Sequence, residues 1–225
     1  MPSFKKNRQR GNILIAILVA IVVVAMLTMA VSQYSEQQSD SVTRQTQDDQ
    51  ISRTLTQAST LGSAVHQMLV NGEDPATLYT NLSQLKPGDT GFETAPNNFK
   101  IYHPLGGGVS YMAASSPQAS AIATAFNINA ASIIKGVGPT DVTVGDIVFT
   151  AKIASASACQ RINKILNGST TVPVLTTSTF DALFTAGTTV TVDSSNCASC
   201  VNVPRLCVSN TAANAWGFYS VLLPG

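Results

Sequence analysis

Between Pro2 and Pro75 the chain has no proline, and between Gly11 and Gly62 it has no glycine. Both residues interrupt helices, so their absence leaves nothing to break a helix over that distance. Acidic residues are missing before Glu36, while Lys5, Lys6, Arg8 and Arg10 supply four positive charges ahead of Gly11. Charge is scarce overall, at 11% of residues, against roughly 25% in ordinary soluble domains. Of 13 Lys and Arg, those four leave 9 against 12 Asp and Glu for the rest of the chain. Beyond the N-terminus there is thus no basic footprint for a nucleic acid. Cysteine is absent until Cys159, and there are only two histidines, His66 and His103. Neither has a second histidine at metal spacing, and no serine–histidine–acid set can be argued from two isolated imidazoles.

What is present begins with an apolar run. Ile13–Val31 is apolar except for Thr28. As a helix it measures roughly 28 Å, close to the hydrocarbon thickness of a bilayer. The run is longer than the core of a cleavable signal peptide, although Thr28-Met29-Ala30 offers a small-residue cut site that would release a secreted protein. The basic flank places the N-terminus in the cytoplasm and sends the remainder outward. A plain single-span anchor carrying an exported binding domain is the alternative reading.

Past Val31 the sequence turns polar without a break and then becomes amphipathic. Ile51, Leu55, Ala58, Leu61, Val65, Met68 and Leu69 recur at three- and four-residue steps. The spacing predicts one helix from about Asn12 to about Val70, stopped by Asn71-Gly72 and Pro75. Its length is on the order of 85–90 Å. Four segments follow: a basic leader over 1–11, an apolar half-helix over 12–33, an amphipathic half over 34–70 and an exported domain over 71–225.

A basic leader ending in Gly11, an apolar helix opening Asn12-Ile13-Leu14-Ile15, and its continuation into a small domain resemble the type IV pilin and pseudopilin superfamily. The resemblance implies cleavage between Gly11 and Asn12 by a prepilin peptidase, with methylation of the new N-terminus. It implies anchoring by Ile13, Leu14, Ile15, Ile17, Leu18 and the run to Val31, first in membrane lipid and then among other pilin-like subunits. An inner-membrane assembly platform is the further partner implied. The location implied is the inner membrane of a Gram-negative bacterium, N-terminus cytoplasmic and domain periplasmic, with passage into a type IV pilus or type II secretion-like filament. The chain departs from the family at Ala16, where a glutamate is usual, and at Asn12, where phenylalanine is. That departure fits a minor subunit better than the abundant repeating one. "RGNILIAIL", "YHPLGGGVSY" at Tyr102–Tyr111, "CQRIN" at Cys159–Asn163 and the aromatic-rich "WGFYSVLLPG" are also similar to a group of alphaproteobacterial pilin-like proteins.

The expected fold is α+β, pilin-like, with a small antiparallel sheet on the second half of the long helix. Leu78, Leu82 and Leu85 suggest a short helix. "FKIYHPLGGGVSYMA" reads as strands Phe99–Tyr102 and Val109–Ala113 around a flexible Gly106-Gly107-Gly108 tip. "TDVTVGDIVFTAKIA" reads as a hairpin turning at Gly145-Asp146, and "SACQRINKILN" as a helix stopped by Gly168. "TTVTVD" and "WGFYSVLL" read as late strands, with Phe218, Val221 and Leu223 inward.

Cys159, Cys197, Cys200 and Cys207 form an even set suited to two disulfides in an exported domain. Cys159–Cys197 with Cys200–Cys207 is the preferred pairing of the three possible. Cys197-Ala198-Ser199-Cys200 lies in a loop-like stretch, which argues against a thioredoxin-type site; Cys207 and Cys159 could in principle complete a zinc site, but the six residues after Cys200, with Pro204 among them, and the exported location argue against it. The glycine triplet lacks the Lys-Ser/Thr of a phosphate loop. Adjacent Asp48-Asp49 point apart on a helix and read as a solvated face. No catalytic residue, cofactor or metal is indicated, and the chain reads as a non-enzymatic assembly subunit.

Overall fold

The computed structural model describes residues 10–73, 86–113, 123–138, 145–185, 188–210, 212 and 214–225, without the side chains of 10–16, 20, 27, 29–44, 124, 130 and 131. Helix α1 spans Arg10–Val70 and divides between two compact units, Met1–Thr46 and Gln47–Gly225. In the first unit Ile17, Leu18, Val19, Ile21, Val22, Val23, Val24 and Met26 are all exposed. In the second the helical stripe is buried. Ile51, Ala58, Leu61, Val65 and Met68 are nearly inaccessible, and Leu55 and Leu69 pack at its margin. Each fully buried Ile, Leu, Val or Met of the stripe contributes about 1.5–3 kcal/mol, and Ala58 less. The helix stops where Asn71 and Gly72 donate back to Gln67 and Leu69 carbonyls, with Gly72 at φ +92°.

The fold is α+β. Strands β1 (Ala123–Ile134) and β2 (Asp146–Ile153) are followed by helices α2 (Ala156–Asn167) and α3 (Thr177–Leu183). Strand β3 (Thr191–Val192), helix α4 (Ser194–Cys197) and strands β4 (Arg205–Asn210) and β5 (Ala215–Leu223) complete it. The sheet order is β3-β1-β2-β5-β4. The expectation of an antiparallel sheet needs correction, because β3 runs parallel to β1 and the sheet is mixed.

Both faces of this sheet are covered. Alternation along the strands sends Phe149, Ala151, Cys207, Phe218 and Leu222 toward the α1 stripe and α2. Val148, Leu206, Val208 and Tyr219 face a second core with Phe180, Leu183, Phe184 and Val192. The outer edge of β4 is occupied by Asn163 of α2. Its amide nitrogen donates to the Cys207 carbonyl at 2.8 Å, and its oxygen accepts from the Cys207 N–H at 2.8 Å. That side chain satisfies an edge that would otherwise be open to another strand.

The hairpin expected around the glycine triplet is overturned, and so is the turn expected at Gly145-Asp146; residues 140–144, the first arm of that second hairpin, lie outside the described residues. Around the glycine triplet there are no strands. Asn97–Phe99 is a 3-10 turn, and the Val109 N–H donates to the Ile101 carbonyl at 3.1 Å. A Cβ on Gly106 would stand 2.2 Å from the Lys100 carbonyl oxygen, and one on Gly107 3.2 Å from the Ala64 Cβ. Those glycines permit close backbone packing against α1, so they are not a free tip. Within the loop Lys100 is buried, its Nζ donating to Asn97 Oδ1 at 2.9 Å and lying over the Phe92 ring. Gly145-Asp146 is likewise no turn. Asp146 opens β2 opposite Ser132, and β2 pairs with β1, a strand the sequence reading did not anticipate. The predicted helix near Leu78, Leu82 and Leu85 lies outside the described residues. Helix α2 ends at Gly168 in the left-handed conformation, as expected, and "TTVTVD" contributes only β3. Strand β5 buries Phe218 and Leu223 as expected, while Val221 is only half-buried.

Asp146 carries a testable consequence. Its carboxylate accepts N–H groups from Ile134 at 2.7 Å and Gly225 at 2.9 Å while 2% exposed. Burial raises its pKa above the ordinary 3.8, against the lowering effect of those two bonds. An acid whose folded pKa is raised binds its proton more tightly when folded, so its contribution is present below the unfolded pKa and fades as pH rises through the folded one. The Asp146 contribution, read as the parent's unfolding free energy minus that of Asp146→Asn across pH, should therefore grow as pH falls toward 3.8. Parallel profiles would refute the assignment.

Candidate functional site

The candidate site has two parts, the N-terminal portion of α1 and the cysteine-bearing end of the domain. Gly11 and Asn12 fall inside α1, whose first residue is Arg10. The side chains of Asn12, Ile13, Leu14, Ile15 and Val31 lie outside the described residues, as do Lys5, Lys6 and Arg8. Ile17 and Leu18 are 55% and 59% exposed. Successive helical positions are separated by about 100°, so the exposed side chains from Ile17 to Met26 cover the whole circumference. A helix that is apolar all round needs an apolar environment on every side. Thr28, the polar interruption, donates its hydroxyl to the Val24 and Ala25 carbonyls and so presents no unpaired donor. Among the described residues no helix is long and apolar enough to cross a membrane.

The structure corrects the preferred disulfide pairing. Cys159 is bonded to Cys207, and Cys197 to Cys200. The reason is the sheet itself. Cys159, on the inner side of α2, and Cys207 of β4 belong to the α1-facing core. Cys197 and Cys200 belong to the opposite core. A Cys159–Cys197 bond would have to pass through the sheet. The sequence signal that could have found this lies in "RLCVSN", where Leu206 and Val208 alternate with Cys207 and place it on the other face. The Cys197–Cys200 loop is held by Asp193, whose Oδ1 accepts from the Ser195 and Asn196 N–H groups at the start of α4. Hydrogen bonds from Ser195 lower the Asp193 pKa. Tyr219 braces the end of that loop, its hydroxyl 3.5 Å from the Cys200 carbonyl oxygen and donating to the Val203 carbonyl just beyond it at 3.0 Å, and burial raises its pKa.

The remaining singled-out residues are dispersed. Asp48 pairs with Arg161 of α2, and Asp49 with Arg53 at 2.8 Å, so both carboxylates serve ion pairs. His103 Nδ1 accepts the Leu105 N–H within its own loop, far along the chain from His66. Among the described residues no group of His, Cys, Asp and Glu could hold a metal ion. No family model, curated protein or solved structure matches the chain.

Proposed function

We propose that this chain is a pilin-like structural subunit, a minor component of a type IV pilus or type II secretion-like filament, acting by assembly. The observation that carries this reading is a helix from Arg10 to Val70 whose first unit exposes apolar side chains around its circumference and whose second buries a single stripe. The first part is suited to membrane lipid before assembly and to the apolar helices of neighbouring subunits after it. Replacing lipid contacts by helix contacts costs little, because both are equally apolar. The second part carries a domain stapled by two disulfides, which suits an oxidising compartment outside the cytoplasm. The partners proposed are a prepilin peptidase, an inner-membrane assembly platform and related subunits.

Processing tests the proposal. Peptide mapping of the membrane-bound protein is expected to find Asn12 as the first residue, and Gly11→Val is expected to leave the leader attached. A wild-type chain beginning at Met1 would favour the plain single-span anchor, the reading to which Ala16 lends support. One beginning at Val31 would mean release by signal peptidase.

A further inference from the structure

We propose that the cleft between α1 and the β4–β5 side of the sheet binds a carboxylate carrying a compact apolar group. Ser59, Gly62, Ser63 and His66 line one wall at three- and four-residue steps along α1, and Arg205 rises from the start of β4 opposite them. The space between is about 360 Å³, in the lower part of the range for small-molecule sites. None of the lining residues is acidic. Among the described residues the two ion pairs engage Arg53 and Arg161, and Arg205 forms none.

The donor geometry favours one kind of anion. Arg205 Nη1 donates to Ser59 Oγ at 3.2 Å, which fixes the guanidinium over the helix and leaves most of its five N–H donors for a ligand. The Ser59 hydroxyl, having accepted from Arg205, keeps its own proton to donate to the same anion. The Ser63 hydroxyl donates to the Ser59 carbonyl at 3.1 Å and is not available as a donor. One guanidinium fork matches the two oxygens of a carboxylate and neutralises its single charge. A phosphate dianion would keep a second charge that the one guanidinium does not neutralise, beside the apolar wall opposite the serines and His66. That wall consists of Val221, Leu222 and Pro224 with Val137 and Pro204, and it calls for a hydrocarbon body behind the carboxylate. A small organic acid and the free C-terminal end of an apolar peptide share this chemistry.

The chain has only two histidines, so the His66 ring signals report the cleft and those of His103 serve as an internal control. The full chain in detergent micelles would be titrated, at fixed pH and ionic strength, with benzoate, benzamide, sodium sulfate and N-acetyl-Ala-Leu bearing a free carboxylate. Saturable shifts of the His66 ring with benzoate or the peptide, absent with benzamide, are expected. Arg205→Met should weaken binding about tenfold or more. Ser59→Ala, an exposed helix position where the fold is safe, should weaken it by a smaller factor. Tighter binding of the peptide assigns the site to chain ends, and of benzoate to free acids. No saturable His66 shift, an equal response to benzamide or sulfate, or unchanged affinity in a folded Arg205→Met chain would each overturn the proposal.

Discussion

Replacing Cys159 and Cys207 together by alanine is expected to lower stability by about 4 kcal/mol, and replacing Cys197 and Cys200 by only about 2 kcal/mol. The two bonds span sequence separations of 48 and 3 residues. The entropy that a crosslink removes from the unfolded chain grows with the logarithm of the loop it closes, so the long loop contributes more. Position adds to the difference. Cys159 and Cys207 lie among Ile162, Phe218 and Ala158, and their bond fastens α2 along the edge of β4. The Cys197–Cys200 bond tightens a turn that Asp193 and Tyr219 already hold. Guanidinium unfolding of the two double variants, compared with the oxidised parent, measures both losses. Equal losses, or a larger one for the short loop, would contradict this account of the pairing.

The second large effect is expected at Gly217. The Phe184 ring lies flat enough on β5 that a Cβ at Gly217 would stand 2.3 Å from the ring's Cζ. Phe184 is 1% exposed, between Phe180 and the sheet, with the two ring centres 4.6 Å apart. It has no room to retreat. Gly217→Ala should cost about 1–3 kcal/mol by overpacking. Phe184→Ala should cost about 3–5 kcal/mol through the cavity it leaves. The two are coupled, so Gly217→Ala should cost less in a Phe184→Leu background, by about 0.5–3 kcal/mol. Thermal or denaturant unfolding of the four chains gives the coupling. Additive losses would mean that Phe184 does not depend on the missing side chain.

Gly217 and Phe184 also show where the sequence stops being readable. "WGFYSVLL" reads as a strand because its bulky residues alternate, and it is one. Nothing in that pattern says that glycine is there for a ring 33 positions away. Strand β1 is not legible in the sequence for a related reason. "ATAFNINAASII" mixes alanine and asparagine into a strand, and its asparagines are explained only by α3 and its flank. There the Asn127 and Asn129 side-chain amides donate to the Phe184 and Leu183 carbonyls. The triplet Gly106-Gly107-Gly108 reads as a hairpin tip from composition, whereas close approach to Lys100, Ile101 and Ala64 makes Gly106 and Gly107 part of a packed loop. The cleft residues Ser59, Gly62, Ser63 and His66 read simply as the polar side of a helix, and Arg205 belongs to a strand that was not anticipated.

The amino-acid order by itself determined the long helix and its change of character. A run without proline, an apolar block and then a stripe at helical period are local facts, and helical hydrogen bonds are local as well. It determined the stop at Asn71-Gly72, the α2 helix ended by Gly168 and the last strand on the same grounds. Tertiary structure alone decided which cysteines pair, which face of the sheet each side chain joins and that β3 lies parallel to β1. Those outcomes depend on strands far apart in sequence meeting across one sheet. A sheet with a core on each side separates residues that the linear order leaves free to touch.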